Sequence, residues 1–351
     1  PLRDWGREGF PLWWSVVARG KRCITANLRE AAGQDIVRRL VAEADFLVEN
    51  FRPGTLEKWG LGYEALKAIN PRLIMIRVSG YGQTGPYATR AGYASVGEAM
   101  GGLRYVMGEA DRRPSRAGIS LGDSLAGLYA TLGALAALHH RDRTGEGQMI
   151  DATIYESVLS VMEGLVPEYQ FEGYVRERTG SYLPGIAPSN IYEGRNGMVI
   201  IAANQDTVFA RLCDAIGRPD LKDAPAYKTH TARGTNQHAL DAVIQDWAAP
   251  HTVDEIERVM IEAGVPVGKV YRAEDMLADP HYAARASLVD VPSERWPGIK
   301  QQNVFPKMSA TPGTVRWAGP DRIGAHTEEV LTQLLDLSPE QVEKLRASGI
   351  V

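Results

Sequence analysis

What is scarce in this sequence narrows its function before any motif is read. Its 351 residues include two cysteines, Cys23 and Cys213. Neither lies in a C-x-x-C pair or beside a histidine, so neither a zinc motif nor a disulfide framework is present. Both read as small, buried or half-buried thiols, and nothing implies an oxidising compartment. No run reaches the roughly 18 apolar residues of a membrane span. Charge of neither sign dominates: 39 Lys and Arg stand against 43 Asp and Glu, a net charge of −4. A broad basic field that would recruit nucleic acid is therefore missing. The 7 histidines form no H-E-x-x-H and no Ser–His–Asp ordering, so no metal is expected. There is no tandem repeat and no low-complexity tract. The opening Pro1-Leu-Arg-Asp-Trp-Gly is neither a signal nor a transit peptide and lacks an initiator Met, so the numbering is expected to begin inside a longer polypeptide. Neither a membrane nor a nucleic-acid partner is expected, and the location is expected to be cytoplasmic.

Apolar residues at 44% and charged residues at 23% describe a globular chain able to bury a core without staples. Its length suggests two domains, or one with a large insertion. Residues 27–46 have helical apolar spacing, and residues 45–51 form a short apolar strand closed by Arg52-Pro-Gly. A helix over 56–69 then precedes a nearly unalternating strand at 73–79. Apolar strands separated by helices predict a parallel sheet covered on both faces. Residues 79–102 read as a Gly-rich loop. Residues 123–140 read as one helix, apolar all round and hence buried, with a strand-like element from Met149 running into a helix near 155–165. Residues 192–197 read as a turn before a strand at 198–202. Helices are expected near 207–216, 236–248 and 252–263, with an irregular or short-stranded segment after 286. Ser338 caps a last helix. The expected division is a large α/β domain over 1–180, a small domain over 181–285, and a return segment with a C-terminal helix over 286–351.

Few residues carry an obvious chemistry. Gly80-Tyr-Gly-Gln-Thr-Gly formally matches the dinucleotide fingerprint, but Pro86 and Gly92 interrupt before any helix, so a tight loop near a pocket is favoured. Asp123 opens the apolar helix after Ile119-Ser-Leu-Gly. It reads as an N-cap, or as an ionised carboxylate near a helix N-terminus among small neighbours, where a bulky group has room to approach. His326 lies just before a helix and is placed to cap it. The cluster Arg19-Gly-Lys-Arg22 reads as a solvated turn or as a contact for a phosphate-bearing ligand.

A set of ordered motifs resembles one family. They are Arg19-Gly-Lys-Arg-Cys-Ile-Thr-Ala-Asn-Leu, Val48-Glu-Asn-Phe-Arg-Pro-Gly, Trp59-Gly-Leu-Gly-Tyr, Asn70-Pro-Arg-Leu-Ile, Ser79-Gly-Tyr-Gly-Gln-Thr-Gly-Pro-Tyr, Leu121-Gly-Asp-Ser-Leu-Ala-Gly, Arg143-Thr-Gly-Glu-Gly-Gln, Ala263-Gly-Val-Pro-Val-Gly and Gly324-Ala-His-Thr. From Arg19 to Val351 the chain resembles the family III CoA-transferases, which include formyl-CoA, carnitine and succinyl-CoA-dependent transferases and the related α-methylacyl-CoA racemases. The resemblance implies a large Rossmann-like α/β domain, a smaller α+β domain, and an interlocked homodimer. It also implies about one further βα unit, contributing CoA contacts, ahead of the first residue. By the same resemblance Asp123 is the nucleophile, Asn50 and Phe51 line the CoA channel, and Lys58 lies near a CoA phosphate, where relatives often carry Arg. Coenzyme A is then a substrate and no cofactor is required. The partners are an acyl-CoA and a free carboxylic acid. Succinyl-CoA and a C4–C5 dicarboxylate fit the family's common members, with Arg90 and Arg104 available for a second carboxylate. The counterpart of the glycine-rich closing loop, near residues 202–206, lacks its glycines.

Two other readings stand beside this one. A racemase needs proton carriers on both faces of an α-carbon, and the racemases use a His in Gly-His-Asp. Here Gly92-Tyr-Ala places Tyr93 and Ala94, and a neutral tyrosine with a pKa of about 10 is a poor base at pH 7. Tyr93 suits lining the pocket as a hydrogen-bond donor. A non-enzymatic CoA-binding protein is the third reading, weakened by the retention of Asp123.

Overall fold

A computed structural model of the chain describes residue 6, residues 9–293 and residues 296–351. Residues 1–5, which include most of the opening segment read for targeting signals, lie outside these. The chain divides into two compact units, one formed by residues 1–101, 120–161 and 277–351, the other by 102–119 and 162–276.

In the first unit α1 (Leu12–Val17) and α2 (Ala31–Val41) lead to β1 (Phe46–Glu49). The stretch expected as one helix over 56–69 is two, α3 (Thr55–Lys58) and α4 (Tyr63–Ile69). Gly60 between them has φ of 65°, a left-handed backbone that glycine tolerates and that stops the first helix. Leu56, Leu61 and Leu66 share a core with Val41, Leu73 and Met75. β2 (Ile74–Ser79) is buried along its first four residues. It lies between β1 and β3 (Met149–Thr153) and is parallel to both, as unalternating apolar strands require.

Residues 79–102 are not all loop, because α5 (Ala94–Met100) lies within them. Its glycines are a packing surface. A Cβ on Gly97 would stand 2.5 Å from Ile154 Cγ2, and one on Gly101 2.6 Å from Val158 Cγ1. Both neighbours belong to α8 (Ile154–Leu159). After α6 (Leu103–Val106), in the second unit, comes α7 (Leu121–Thr144). Ala126, Ala130, Ala134 and Ala137 of α7 are buried, and the last three join Ile74, Ile76 and Ala152 of the sheet in one core. The expectation of all-round burial fails on the opposite face, where Leu128, Leu132 and Leu135 are 63%, 61% and 58% exposed. Among the described residues α7 is also the one helix long and apolar enough to cross a membrane, which corrects the expectation that no stretch qualifies. Its alanine face is already occupied by the sheet.

The second unit continues with α9 (Leu165–Glu172) and an antiparallel sheet of β4 (Ser189–Gly194), β5 (Gly197–Ala202) and β6 (Val267–Lys269). The expected turn at 192–197 is therefore largely strand. Tyr192 is 1% exposed, and its hydroxyl donates to Asp241 Oδ1 at 2.6 Å. Helices α10 (Asp206–Ala215), α12 (Gln237–Ala248) and α13 (Val253–Glu262) lie where helices are expected, and α11 (His230–Thr235) is an additional one. α13 is opened by a Thr252–Glu255 capping box, in which each residue satisfies an end donor of the other. Fully buried Arg233 donates to Asn204 O at 2.7 Å and to Asp206 Oδ1 at 2.6 Å, so residues 204–206 are pinned from beneath.

Short helices α14 (Ala273–Ala278) and α15 (Pro280–Ala284) return the chain to the first unit. There β7 (Leu288–Asp290) and β8 (Lys300–Gln302) pair antiparallel. α16 (Thr327–Leu335) and α17 (Pro339–Ala347) pack Leu331, Leu335 and Val342 against Ile36 of α2. Ser338 caps α17, as expected, in a box with Gln341. His326 does not cap α16 with its side chain; its Nδ1 accepts the Cys23 N–H at 2.9 Å.

The α5–α8 contact generates a stability prediction. Adding one methyl at Gly101 forces this crossing apart. Gly101→Ala is expected to lower stability by about 1–3 kcal/mol, read as a reduced urea midpoint with unchanged slope. An unshifted midpoint would show that the crossing is looser than its distances.

Candidate active site

Parallel strands end together. β1 stops at Glu49, β2 at Ser79 and β3 at Thr153, and segments leaving this C-terminal edge are where α/β sheets build ligand sites. α7 runs antiparallel to β3. A Cβ on Gly133 would lie 3.2 Å from Ile150 Cγ2, and one on Gly122 would lie 3.1 Å from Ile154 Cγ2. The N-terminal turn of α7, carrying Asp123, therefore reaches the edge from which Asn50, Phe51 and residues 80–92 emerge.

Asp123 does not cap this helix. Ser120 is the N-cap, without a side-chain capping bond, and Asp123 is the third helical residue. Asp123 is exposed. The Gly122 N–H donates to Glu98 Oε1 of α5 at 3.1 Å, and Glu98 is 1% exposed. Tyr93 is the N-cap residue of the same α5 and is 79% exposed. The Ala94 carbonyl oxygen lies 3.4 Å from the Cβ position of Gly122. Tyr93 and Asp123 thus sit on adjacent helix starts. Glu98 was not among the sequence candidates; its only signal is one acid in the small, apolar run Ala94-Ser-Val-Gly-Glu-Ala-Met.

The Gly-rich loop closes on itself. A Cβ on Gly80 would be 3.0 Å from Gly92 Cα, so the two ends touch. Ser79 Oγ accepts the Gly82 N–H at 2.9 Å and Asp151 Oδ2 accepts the Gln83 N–H at 2.7 Å. Burial at the strand end, first among its causes, raises the Asp151 pKa. The Arg90 guanidinium lies 3.6 Å over the Tyr87 ring. No helix begins between Ser79 and Ala94, in keeping with a loop and not a dinucleotide cradle.

Asn50 and Phe51 lie on the turn after β1 and Lys58 ends α3, all three exposed. Phe51 meets Trp59 edge-on at 5.4 Å. Glu49 holds the turn: its Oε2 accepts the Phe51 N–H at 2.7 Å and its Oε1 accepts Arg77 Nε at 2.6 Å. Arg77, 5% exposed, also donates from Nη1 to Glu57 Oε1 at 2.6 Å. The basic cluster is largely exposed, but its side chains are already engaged within the chain. Arg19 donates to Gln302 O, Lys21 to Val17 O at 2.7 Å, and Arg22 pairs with Glu329 at 3.2 Å. That arrangement favours the turn reading over a phosphate contact. Among the described residues no group of three or more His, Cys, Asp or Glu is placed to hold a metal.

Acid should act on the Glu57–Arg77 pair in a defined direction. The Arg77 hydrogen bond, the largest cause, holds the Glu57 carboxyl below its ordinary 4.5. A carboxyl lowered by folding stabilises above its unfolded pKa and loses that contribution as pH falls through the folded value. The stability gap between the parent and Glu57→Gln is expected to be full above about pH 4.5 and to close in more acidic solution. Urea unfolding along a pH series reads it, and a gap that does not change with pH would contradict the assignment.

Comparison with known proteins gives the family. The sequence pattern of CoA-transferase family III matches residues 1–327. Succinyl-CoA–D-citramalate CoA-transferase from Chloroflexus aurantiacus is 52% identical over 100% of this chain and 88% of its own length. The β subunit of succinyl-CoA–L-malate CoA-transferase from the same organism is 41% identical over 98% of this chain and 86% of its own. The crystal structure of a CaiB/BaiF family protein from Brucella suis superposes with a TM-score of 0.84 at 34% identity, covering 95% of this chain and 88% of that one. With its parallel sheet and mixed α/β fold, the chain belongs to CoA-transferase family III.

Proposed function

We propose that this CoA-transferase moves coenzyme A from succinyl-CoA to a free C4–C5 dicarboxylic acid, with Asp123 as the covalent carrier. The observation that carries the reading is the exposed Asp123 carboxylate in the first turn of α7, at the sheet edge where CoA-binding segments would converge. The choice of substrates draws on the likeness to the D-citramalate and L-malate transferases.

The steps balance without a net proton. A carboxylate oxygen of Asp123 attacks the thioester carbonyl of succinyl-CoA; the C–S bond breaks and CoA leaves as its thiolate. The product is a mixed anhydride of Asp123 and succinate. The thiolate attacks Cγ of Asp123, the anhydride C–O bond breaks, and succinate departs, leaving an aspartyl thioester. The acceptor carboxylate attacks that Cγ and expels the thiolate. The thiolate then attacks the acceptor's acyl carbon and restores the free Asp123. Each intermediate is an activated acyl group, so no step consumes ATP. In this reading Asn50 and Phe51 line the CoA channel. Lys58 offers a phosphate a point charge, without the bidentate fork of an arginine. The Tyr93 hydroxyl donates to a reacting oxygen, and Arg90, resting on Tyr87, receives the distal carboxylate.

Asp123→Asn is expected to lose roughly 10⁴-fold or more in turnover, since an amide cannot carry the acyl group. Succinyl-CoA with hydroxylamine is expected to leave a hydroxamate on Asp123, found by peptide mass spectrometry. Across acceptor acids, C4–C5 dicarboxylates should exceed monocarboxylates by about 10-fold or more in kcat/KM. Near-normal turnover by Asp123→Asn would sink the carrier role, and a preference for monocarboxylates would sink the substrate assignment.

We further infer a homodimer, interlocked as in the family, in which a second copy covers the exposed Leu128, Leu132 and Leu135 face of α7. A cytoplasmic location accords with the free thiols Cys23 and Cys213. Sedimentation is expected to give a dimer that persists on dilution; a stable folded monomer at nanomolar concentration would contradict it.

A further inference from the structure

We infer that Glu98 is a positioning residue for the nucleophile: through Gly122 it fixes the first turn of α7 against α5, and so sets Asp123 relative to Tyr93. The inference rests on the reading of Asp123 as the covalent carrier.

The first N–H groups of a helix have no partner within the helix, and an N-cap side chain ordinarily supplies one. Here the N-cap Ser120 makes no side-chain capping bond. The acceptor arrives from another helix, where Glu98 Oε1 lies 3.1 Å from the Gly122 nitrogen. A carboxyl group with 1% exposure is an expensive tenant of an interior and needs hydrogen-bond donors to remain there. A leucine would fill the same space without that need.

The surroundings leave the contact little slack. A Cβ on Gly122 would stand 3.1 Å from both Glu98 Cγ and Ile154 Cγ2. α5 is also pressed to α8 through Gly97 and Gly101, whose Cβ positions lie 2.5 Å and 2.6 Å from the nearest α8 side-chain atoms, the first being the same Ile154 Cγ2. α5 therefore cannot drift without breaking one of these contacts. Five residues before Glu98 the same helix is capped by Tyr93. One residue after Gly122 stands Asp123. The Glu98–Gly122 hydrogen bond thereby links the element bearing the proposed oxygen donor to the element bearing the proposed attacking carboxylate. Attack on a thioester depends on this kind of placement, because an error of about 1 Å can lower a rate by about 10²-fold.

The test compares Glu98→Gln, which keeps a side-chain oxygen acceptor, with Glu98→Leu, which keeps the bulk and removes the acceptor. Glu98→Asp, which draws the carboxyl back by one methylene, serves if the leucine variant fails to fold. Each is assayed for kcat, for KM toward succinyl-CoA, and for the single-turnover rate of hydroxylamine-trappable adduct on Asp123. We expect Glu98→Gln within about 3-fold of the parent. Glu98→Leu should fall by about 10²-fold in kcat, and Glu98→Asp by about 10-fold, with KM moving by less than about 3-fold. The adduct rate should fall by the same factor as kcat. A purely structural cap would lower the melting temperature and leave the adduct rate of the folded fraction unchanged; that result overturns the inference. So does a glutamine variant as slow as the leucine variant. If the parent enzyme forms no adduct on Asp123, the nucleophile reading itself fails and takes this inference with it. An Asp123 adduct in the parent, formed equally fast in all three variants, refutes Glu98 alone.

Discussion

A guanidinium withdrawn from water must be neutralised where it stands, and much of the first unit's geometry follows from that requirement at Arg77. The parallel register sets Arg77 opposite Glu49, and α3 brings Glu57 to its other side. Removing one member would leave a buried charge uncompensated, which is far more costly than never having had the pair. The three residues therefore behave as one unit. Glu49 spends its second oxygen on the Phe51 N–H, so the charge balance of a strand end also determines how the chain leaves it. The turn bearing Asn50 and Phe51 is a by-product of satisfying an arginine.

A different constraint acts on the other side of the sheet edge. There glycine, not charge, sets the geometry. Gly97, Gly101 and Gly122 let helices approach to distances at which any Cβ would meet a neighbour. Backbones packed this closely tolerate few intermediate positions. A hydrogen bond made across such a crossing holds direction as well as distance. The charged network and the glycine crossing hold the two groups of candidate residues by unrelated means, so a change in one need not loosen the other.

The sequence made the strands legible because parallel strands buried on both faces write themselves as apolar runs, and Leu73 to Ile76 is such a run. Asp123 was visible through family motifs more than through physics: its residue type suggested a cap, and the structure puts the cap at Ser120. α5 was hidden by its own glycines, which lower helix propensity while serving a crossing that only three dimensions reveal. β4 was hidden by Glu193 and Gly194, turn-like residues that tertiary pairing with β5 holds in a strand. Apolarity in α7 was read as burial within one chain, whereas the folded unit buries its alanines and leaves its leucines outside. Composition records that a face is apolar but not which surface will cover it. Glu98 was missed because one acid among small residues resembles a solvated helix position, and only its neighbours in space distinguish it.

That leucine face has a consequence during synthesis. A newly folded chain carries Leu128, Leu132 and Leu135 in water, and apolar patches of this kind favour any encounter that hides them. If a second copy covers the face, specific pairing and indiscriminate clumping both require encounters between chains, so dilution slows both. What separates them is specificity of contact, together with temperature, since apolar attraction weakens on cooling. A second copy proposed to cover this face would therefore compete with non-specific encounters for it while the chains are still folding, and slow, cool expression would favour the contact whose surface fits.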